Sequence, residues 1–214
     1  MRVFAFGPCG WLRWILVAAA AALPAAVLHA ALSPEEPDAG GPASLAGRLL
    51  IASPDMGEPF DHAVILMAQH SRDGALGIVI NHPLATRSIA TILQALGGDA
   101  HDVKGSVPIF FGGPVGMTNA FVVHSADYRH DRSLDIDGRV ALSDGTGVLR
   151  DIGLGKGPAK SLVALGYAGW GPSQLDSEIA RGAWVSVPET PQLVFDDDRA
   201  KVWTDAMALH KTDR

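Results

Sequence analysis

Cysteine is almost missing from this chain. Its one example among 214 residues is Cys9, which sits inside a hydrophobic N-terminal stretch. The segment beyond that stretch therefore offers no thiol nucleophile, no disulfide, and no cysteine ligands for zinc or an iron–sulfur cluster. Basic runs are missing too: lysines and arginines are scattered singly, and the formal net charge is −6. Setting aside the first thirty residues, which hold Arg2 and Arg13 and no acid, leaves 15 basic against 23 acidic side chains and a net charge of −8. That sign opposes direct contact with a phosphate backbone, which needs a positive footprint. Four motifs that would announce chemistry are also missing: G-x-S-x-G, H-E-x-x-H, the P-loop and G-x-G-x-x-G. Gly153, Gly155 and Gly157 surround Lys156, but no Ser or Thr follows the lysine, so these read as loop glycines. Nothing in the sequence asks for a cofactor.

What is present is an ordinary globular balance, with 48% hydrophobic and 19% charged residues. The length suits one domain with a real core and hardly two. The apolar run from Trp14 to Leu28, preceded by Arg2 and Arg13, is 15 residues long. That is the upper end for the hydrophobic part of an export signal and short of the roughly 20 residues of a spanning helix. Residues 1–30 are therefore expected to be a leader, either cleaved or kept as an anchor, and a start codon further along is the third reading. Residues 31–44, rich in Pro, Glu, Asp and Gly, are expected to be a flexible linker, leaving 45–214 as the domain.

Within the domain, short apolar segments punctuated by turn residues predict strands at Arg48–Ala52, Ala63–His70, Ala75–Ile80, Val107–Phe111, Ala120–His124, Leu134–Ile136, Val140–Leu142, Ser161–Leu165 and Trp184–Val187. The second and third are joined through Asp73-Gly74, a hairpin signal, and are apolar on both faces. A sheet region of that kind must be covered on two sides, which points to helices above and below it. Ser88–Leu96 reads as a helix with Ser88 as its cap and Ile89, Ile92, Leu93 and Leu96 as one stripe. Further helices are expected at Asp144–Ile152, Gln174–Ala180 and Asp196–His210, the last with acids in its first turn. Hairpins with occasional helices predict an α+β fold, a single domain on a large, mixed, mostly antiparallel sheet covered by helices.

Candidate site residues come from three places. In the 63–80 hairpin, a loop at Ser71–Gly74 sets His70 opposite Ala75 and Val64 opposite Asn81. His70 and Asn81 are then roughly 20 Å apart, at about 3.3 Å per residue, while His62, Asn81 and His82 gather at the far end. His124 stands at a strand end, away from the Gly112–Asn119 loop. The stretch Gly166–Gln174 runs from a buried strand through glycines to a helix start, where free N–H groups and the rings of Tyr167 and Trp170 could receive a ligand and Gln174 could bond it. Asn81, His124, Tyr167, Trp170 and Gln174 are thus the candidate ligand-binding residues, with no catalytic set and no metal ligands named. Ser133, Asp135, Asp137, Gly138 and Asp144 approximate a calcium loop, but position one is not acidic and the closing residue is not Glu. Two strands around an Asp-Gly turn describe that segment better.

The segments LLIASPDM (49–56), FDHAVILMAQHSRDGALGIVINHPL (60–84), FFGGPV (110–115), FVVH (121–124) and LVALGYAGWGPSQLDSEIARGAWVSVP (162–188) resemble the bacterial YqgE/AlgH family. The resemblance covers nearly all of the chain from Leu45 to Leu209. It implies one α+β domain on a large mixed sheet and carries over no catalytic residues. One branch of the family has a name tied to transcriptional control of alginate production. The family pattern usually has arginine at His62, glutamate at Gln69, and arginine or lysine at His82, so a shared charged cluster there is in doubt. Its members are usually leaderless and cytoplasmic.

These readings favour a non-enzymatic binding or regulatory domain whose partner is a protein or a small molecule, with no direct nucleic-acid contact and membrane contact only if the leader stays uncleaved. The alternatives are a small hydrolase using the strand-end His/Asn cluster and an indirect transcriptional regulator. A functional leader implies a periplasmic or exported product; the family's habit implies a cytoplasmic one.

Overall fold

In a computed structural model, the structure describes residues 44–212; the leader and nearly all of the linker lie outside them. The chain order is β1 (Arg48–Ala52), β2 (Val64–Ser71), β3 (Gly74–Val79), β4 (Pro83–Ser88), α1 (Ile89–Ala95), β5 (Ser106–Phe111), β6 (Val115–Ser125), β7 (Ser133–Asp135) and β8 (Val140–Asp144). There follow α2 (Gly145–Gly153), β9 (Ser161–Trp170), α3 (Gln174–Ala180), β10 (Trp184–Pro188), α4 (Pro191–Val194) and α5 (Val202–Thr212). The strands lie in the order β10-β1-β2-β3-β9-β6-β8-β7, and a β4–β5 ribbon joins through β5. Among the described residues, only β5 beside β9 is a parallel pair. The α+β fold on a mixed, mostly antiparallel sheet is therefore as the composition and turn pattern predict.

The sheet curls until its two ends meet. Gly47, just before β1, packs on Ile136 and Asp137 of the β7–β8 turn. Arg139 of that turn donates to the carbonyl of Glu189, just beyond β10. Strands from both ends then share one interior: Leu49, Leu66, Ile78, Phe121 and Leu142 form a single cluster, sealed by Leu193 and Val194 of α4 and Val202 and Ala206 of α5. The outer faces carry two further clusters. Leu175 of α3 covers Leu50, Ile65 and Val79, while Ile92 and Leu93 of α1 with Val148 and Leu149 of α2 cover Val122 and Val163. β2 and β3 are thus buried on both faces as expected, but the inner cover consists largely of opposing strands rather than helices. Each buried Leu or Ile contributes about 1.5–3 kcal/mol of transfer free energy.

The prediction for Gly166–Gly171 needs correction. The segment is not a turn leading to a helix; β9 continues through it to Trp170. Its first part, Val163–Leu165, pairs with β5 and its last part, Ala168–Trp170, with β3. One strand can serve both partners because Gly166, at φ +71°, kinks the backbone between them. Gly112 and Gly113 cross directly over that kink, where a Cβ on either would collide with the backbone of Gly166 or Tyr167. The glycines of the FFGGPV and GYAG segments therefore interlock backbone to backbone.

Four other expectations shift. β4 has no sequence signal, because its pattern is mostly exposed and no hydrophobic stripe marks it. β6 begins at Val115, inside the stretch expected to be a loop. A bulge at Ala68 moves the β2–β3 register by one, so that Ile65 faces Val79. The last helix starts at Val202, not Asp196; Thr190 and Pro191 start a separate short helix, and Asp196–Asp198 form the turn between. The Ser88 cap is as expected, its hydroxyl accepting from the Thr91 N–H.

Candidate functional site

A groove of about 380 Å³ opens where β4, β5, the start of β9 and the α4–α5 loop converge. Its apolar walls are Pro83, Pro108, Phe110 and Phe195, and its polar groups are Lys160, Ser161, Asp197 and Arg199. Phe110 belongs to the interior cluster and Phe195 packs against it, so the groove is rooted in the core.

Arg199 is the group held most firmly. Its Nη1 donates to the Val194 carbonyl at 2.8 Å and the Ile80 carbonyl at 3.4 Å. Its guanidinium carbon stands 5.0 Å from the centre of the Phe110 ring, a cation–π contact. Burial lowers its pKa from the usual arginine value, with Asp196 and Asp197 opposing; an arginine so placed still stays charged at neutral pH. Lys160 stands on a fixed backbone: its N–H donates to Ser125 Oγ at 3.0 Å and its carbonyl accepts from the Ser125 N–H at 3.0 Å. Its side chain is exposed at the groove rim.

The five residues singled out from sequence lie elsewhere. Asn81 closes the β2–β3 hairpin, its Oδ1 accepting from the Val64 N–H and its Nδ2 donating to the His62 carbonyl, both at 2.8 Å. It does meet His62, as expected, but through the backbone of that residue. The His62 ring instead contacts Asp61 at 2.6 Å and packs edge-on against Trp203, and His82 stacks on Phe111. His124 is fully buried in β6. Its Nδ1 faces the Ser125 carbonyl at 3.0 Å, which can only accept, so Nδ1 carries the proton. Nε2 then accepts from Ser143 Oγ at 2.9 Å, and Ser143 accepts in turn from Ser133 at 2.6 Å. Burial lowers the His124 pKa and keeps the ring neutral.

Tyr167 points into the interior against Phe121. Trp170 and Gln174 do come together, on Glu178. The indoles of Trp170 and Trp184 both donate to Glu178 Oε2, at 2.9 and 2.8 Å, and Gln174 donates to Oε1 at 2.9 Å. The Gly171 N–H, expected to be free for a ligand, donates to Gln174. The calcium-like segment is a β7–β8 hairpin in which Asp135 accepts from the Gly138 N–H and Asp137 from those of Arg139 and Val140.

Sequence reasoning also missed a buried acid pair. The Glu189 side chain is wholly buried beside Asp137, with Arg139 Nη2 at 2.9 Å from Oε1. Neither Glu189 carboxyl oxygen receives a well-directed hydrogen bond. Burial first, then Asp137, pushes the Glu189 pKa up to about 8. Burial alone would raise Asp137 as well, but bonds from Glu189 and Arg139 outweigh it and hold Asp137 low. No binding motif marks the groove residues, and of the acid pair only Asp137 falls in a sequence pattern, the calcium-like one; the local hint at the groove is Arg199 directly after three aspartates.

The family model described as AlgH-like (DUF179) matches residues 49–214. The chain belongs to the AlgH-like family. An UPF0301 protein of Jannaschia sp. is 43% identical over 166 residues, covering 76% of this chain and 86% of that one. One from Sphingopyxis alaskensis is 40% identical over 168 residues, covering 78% and 89%. The solution structure of the AlgH protein from Pseudomonas aeruginosa aligns with a TM-score of 0.67 at 33% identity, covering 81% of this chain and 92% of that one. Protein DIP2367 from Corynebacterium diphtheriae shares the fold, with a TM-score of 0.60 at 23% identity. The interlocked glycines and the Asn81 clasp are thus built from segments that carry the family resemblance, while the Lys160 and Arg199 positions fall outside them.

Proposed function

We propose that this AlgH-like chain is a non-enzymatic binding domain with a regulatory output, and that the Phe110–Arg199 groove receives its ligand. Arg199 carries the reading. It is a cation fixed by two carbonyls and an aromatic face before any ligand arrives, so binding loses little side-chain entropy there. A concave, mostly apolar site with a few placed polar groups is the usual form of a small-molecule site. The acidic surface supports a partner other than nucleic acid. Regulation of transcription, if it is the output, would then be indirect, with occupancy changing affinity for a protein partner. The test is an amide NMR titration of the purified protein with mixed carboxylate, amine and neutral fragments. Shifts centred on Phe110, Ser161, Phe195 and Arg199 are expected; shifts confined to other surfaces overturn the reading.

A hydrolase is the second reading, and the Ser133–Ser143–His124 hydrogen-bond chain favours it. The neutral imidazole is a base that would draw a proton from Ser133 through Ser143. A fluorophosphonate probe should then label Ser133 and fail to label a folded His124→Ala variant; an unlabelled wild-type protein removes this reading.

Localisation follows the N-terminus, and export is the reading favoured by its leader-like pattern. Among the described residues no helix is long and apolar enough to cross a membrane. An intact mass matching residues 31–214 supports export, and a full-length mass removes it.

A further inference from the structure

The groove's charges and walls narrow the class of ligand, given the binding reading above. Its lining holds two cations, Lys160 and Arg199, against one anion, Asp197. The surplus is a single positive charge, set in a domain whose overall charge is negative. An anion that reaches this groove has therefore been selected locally and not by the field of the whole surface.

The backbone argues against a phosphate. Tight phosphate sites converge several N–H groups on three or more oxygens. Here two of the lining residues, Pro83 and Pro108, have no N–H to give. The side-chain donors of the lining are the guanidinium of Arg199, the ammonium of Lys160 and the hydroxyl of Ser161. A planar carboxylate matches the flat guanidinium fork. Asp197 on the same wall repels a second negative charge.

The remaining lining sets the body of the ligand. Phe110, Phe195 and the two prolines make flat, rigid apolar walls rather than flexible aliphatic ones. The volume of about 380 Å³ lies near the lower end of small-molecule sites, which suits a one- or two-ring body. Phe110 lends one face to Arg199, so the carboxylate end and the ring end of a ligand would lie side by side.

We infer that the groove binds a monoanionic aromatic carboxylate, with its carboxylate between Arg199 and Lys160 and its ring between Phe195 and the prolines. Lys160 and Asp197 are then determinants of specificity. Both side chains are exposed, so their substitution leaves the core intact.

Calorimetric titration of the purified protein with 2-naphthoate, 2-naphthamide and phenyl phosphate tests this. The amide keeps the ring and loses the charge; the phosphate carries the second charge. A charge-assisted bond is worth about 1.4 kcal/mol or more, so 2-naphthoate should bind at least about tenfold tighter than the amide. Lys160→Gln should weaken 2-naphthoate at least threefold and leave the amide unchanged. Asp197→Asn should tighten phenyl phosphate several-fold more than it tightens 2-naphthoate. Equal binding of amide and carboxylate overturns the anionic assignment while leaving a binding groove in place. Phenyl phosphate binding tighter than 2-naphthoate in wild type overturns the monoanion preference. Failure of all three probes to bind, while unrelated fragments still shift the groove amides, overturns the ligand class alone. Failure of those fragments too sinks the binding reading with it.

Discussion

Glu189→Gln should make this protein more stable in alkali and nearly unchanged in mild acid. Glu189 is wholly buried beside Asp137, and its pKa rises from 4.5 to about 8. A folded-state pKa above the unfolded one means that folding favours the protonated form. The stability due to this group is complete below pH 4.5 and is lost as pH climbs through about 8. Such a rise corresponds to about 5 kcal/mol. Asp137 and Glu189 titrate as a pair, so the depressed Asp137 offsets part of the loss, leaving on the order of a few kcal/mol. That is a large share of a typical domain stability of about 5–15 kcal/mol. Glutamine keeps the shape of the protonated acid and cannot ionise. In urea unfolding, wild type and variant should agree within about 1 kcal/mol at pH 5, and the variant should be the more stable by a few kcal/mol at pH 9. Comparing the two proteins at each pH cancels every titration they have in common. Parallel profiles from pH 5 to 9 would refute the buried-acid argument. The same clasp links the β7–β8 turn to the end of β10, so hydrogen exchange at those two places should quicken together in wild type as pH rises.

Four further outcomes follow from the geometry. Asn81→Ala strands the Val64 N–H and the His62 carbonyl and should cost about 2–3 kcal/mol in chemical denaturation, whereas a loss under about 0.5 kcal/mol would deny the clasp. Glu178→Ala removes the acceptor for two indoles and Gln174; it should lower stability by about 2 kcal/mol and alter the near-ultraviolet dichroism of Trp170 and Trp184. His124 should appear in nitrogen-15 spectra as the neutral Nδ1–H tautomer at pH 7, and because its folded pKa is depressed, its share of stability is lost as pH falls below 6.5. Gly113→Ala should prevent folding, as judged by loss of soluble protein, because a Cβ there overlaps the Tyr167 and Ala168 backbone.

Much of the fold was legible because burial leaves its mark on local composition. β2 and β3 are apolar on both faces, and the structure places them in the middle of the curled sheet between two cores. The Asp73-Gly74 turn and the Ser88 cap were readable for the same reason, since each depends on a few adjacent residues. β4 was not, because an exposed edge ribbon has no hydrophobic period. The continuation of β9 was also hidden. Glycines in a strand look like a turn until Gly112 and Gly113 are seen crossing them, and those lie more than fifty positions earlier.

The site divides along the same line. The histidines and tryptophans stood out by residue type, yet type does not say whether a polar atom is already occupied. His124 is satisfied by Ser125 and Ser143, and Trp170 by Glu178, through contacts that only the folded chain creates. Arg199 is unremarkable in its acidic context until packing brings it over Phe110 and onto the carbonyl of Ile80, 119 positions away. By itself, then, the sequence determined the absence of thiol chemistry, the acidic charge, the α+β class and the family, since these depend on composition and on short-range pattern. Tertiary structure alone decided which polar groups remain available and where two distant cations meet an aromatic wall, because occupancy and convergence are properties of contacts between residues far apart in the chain.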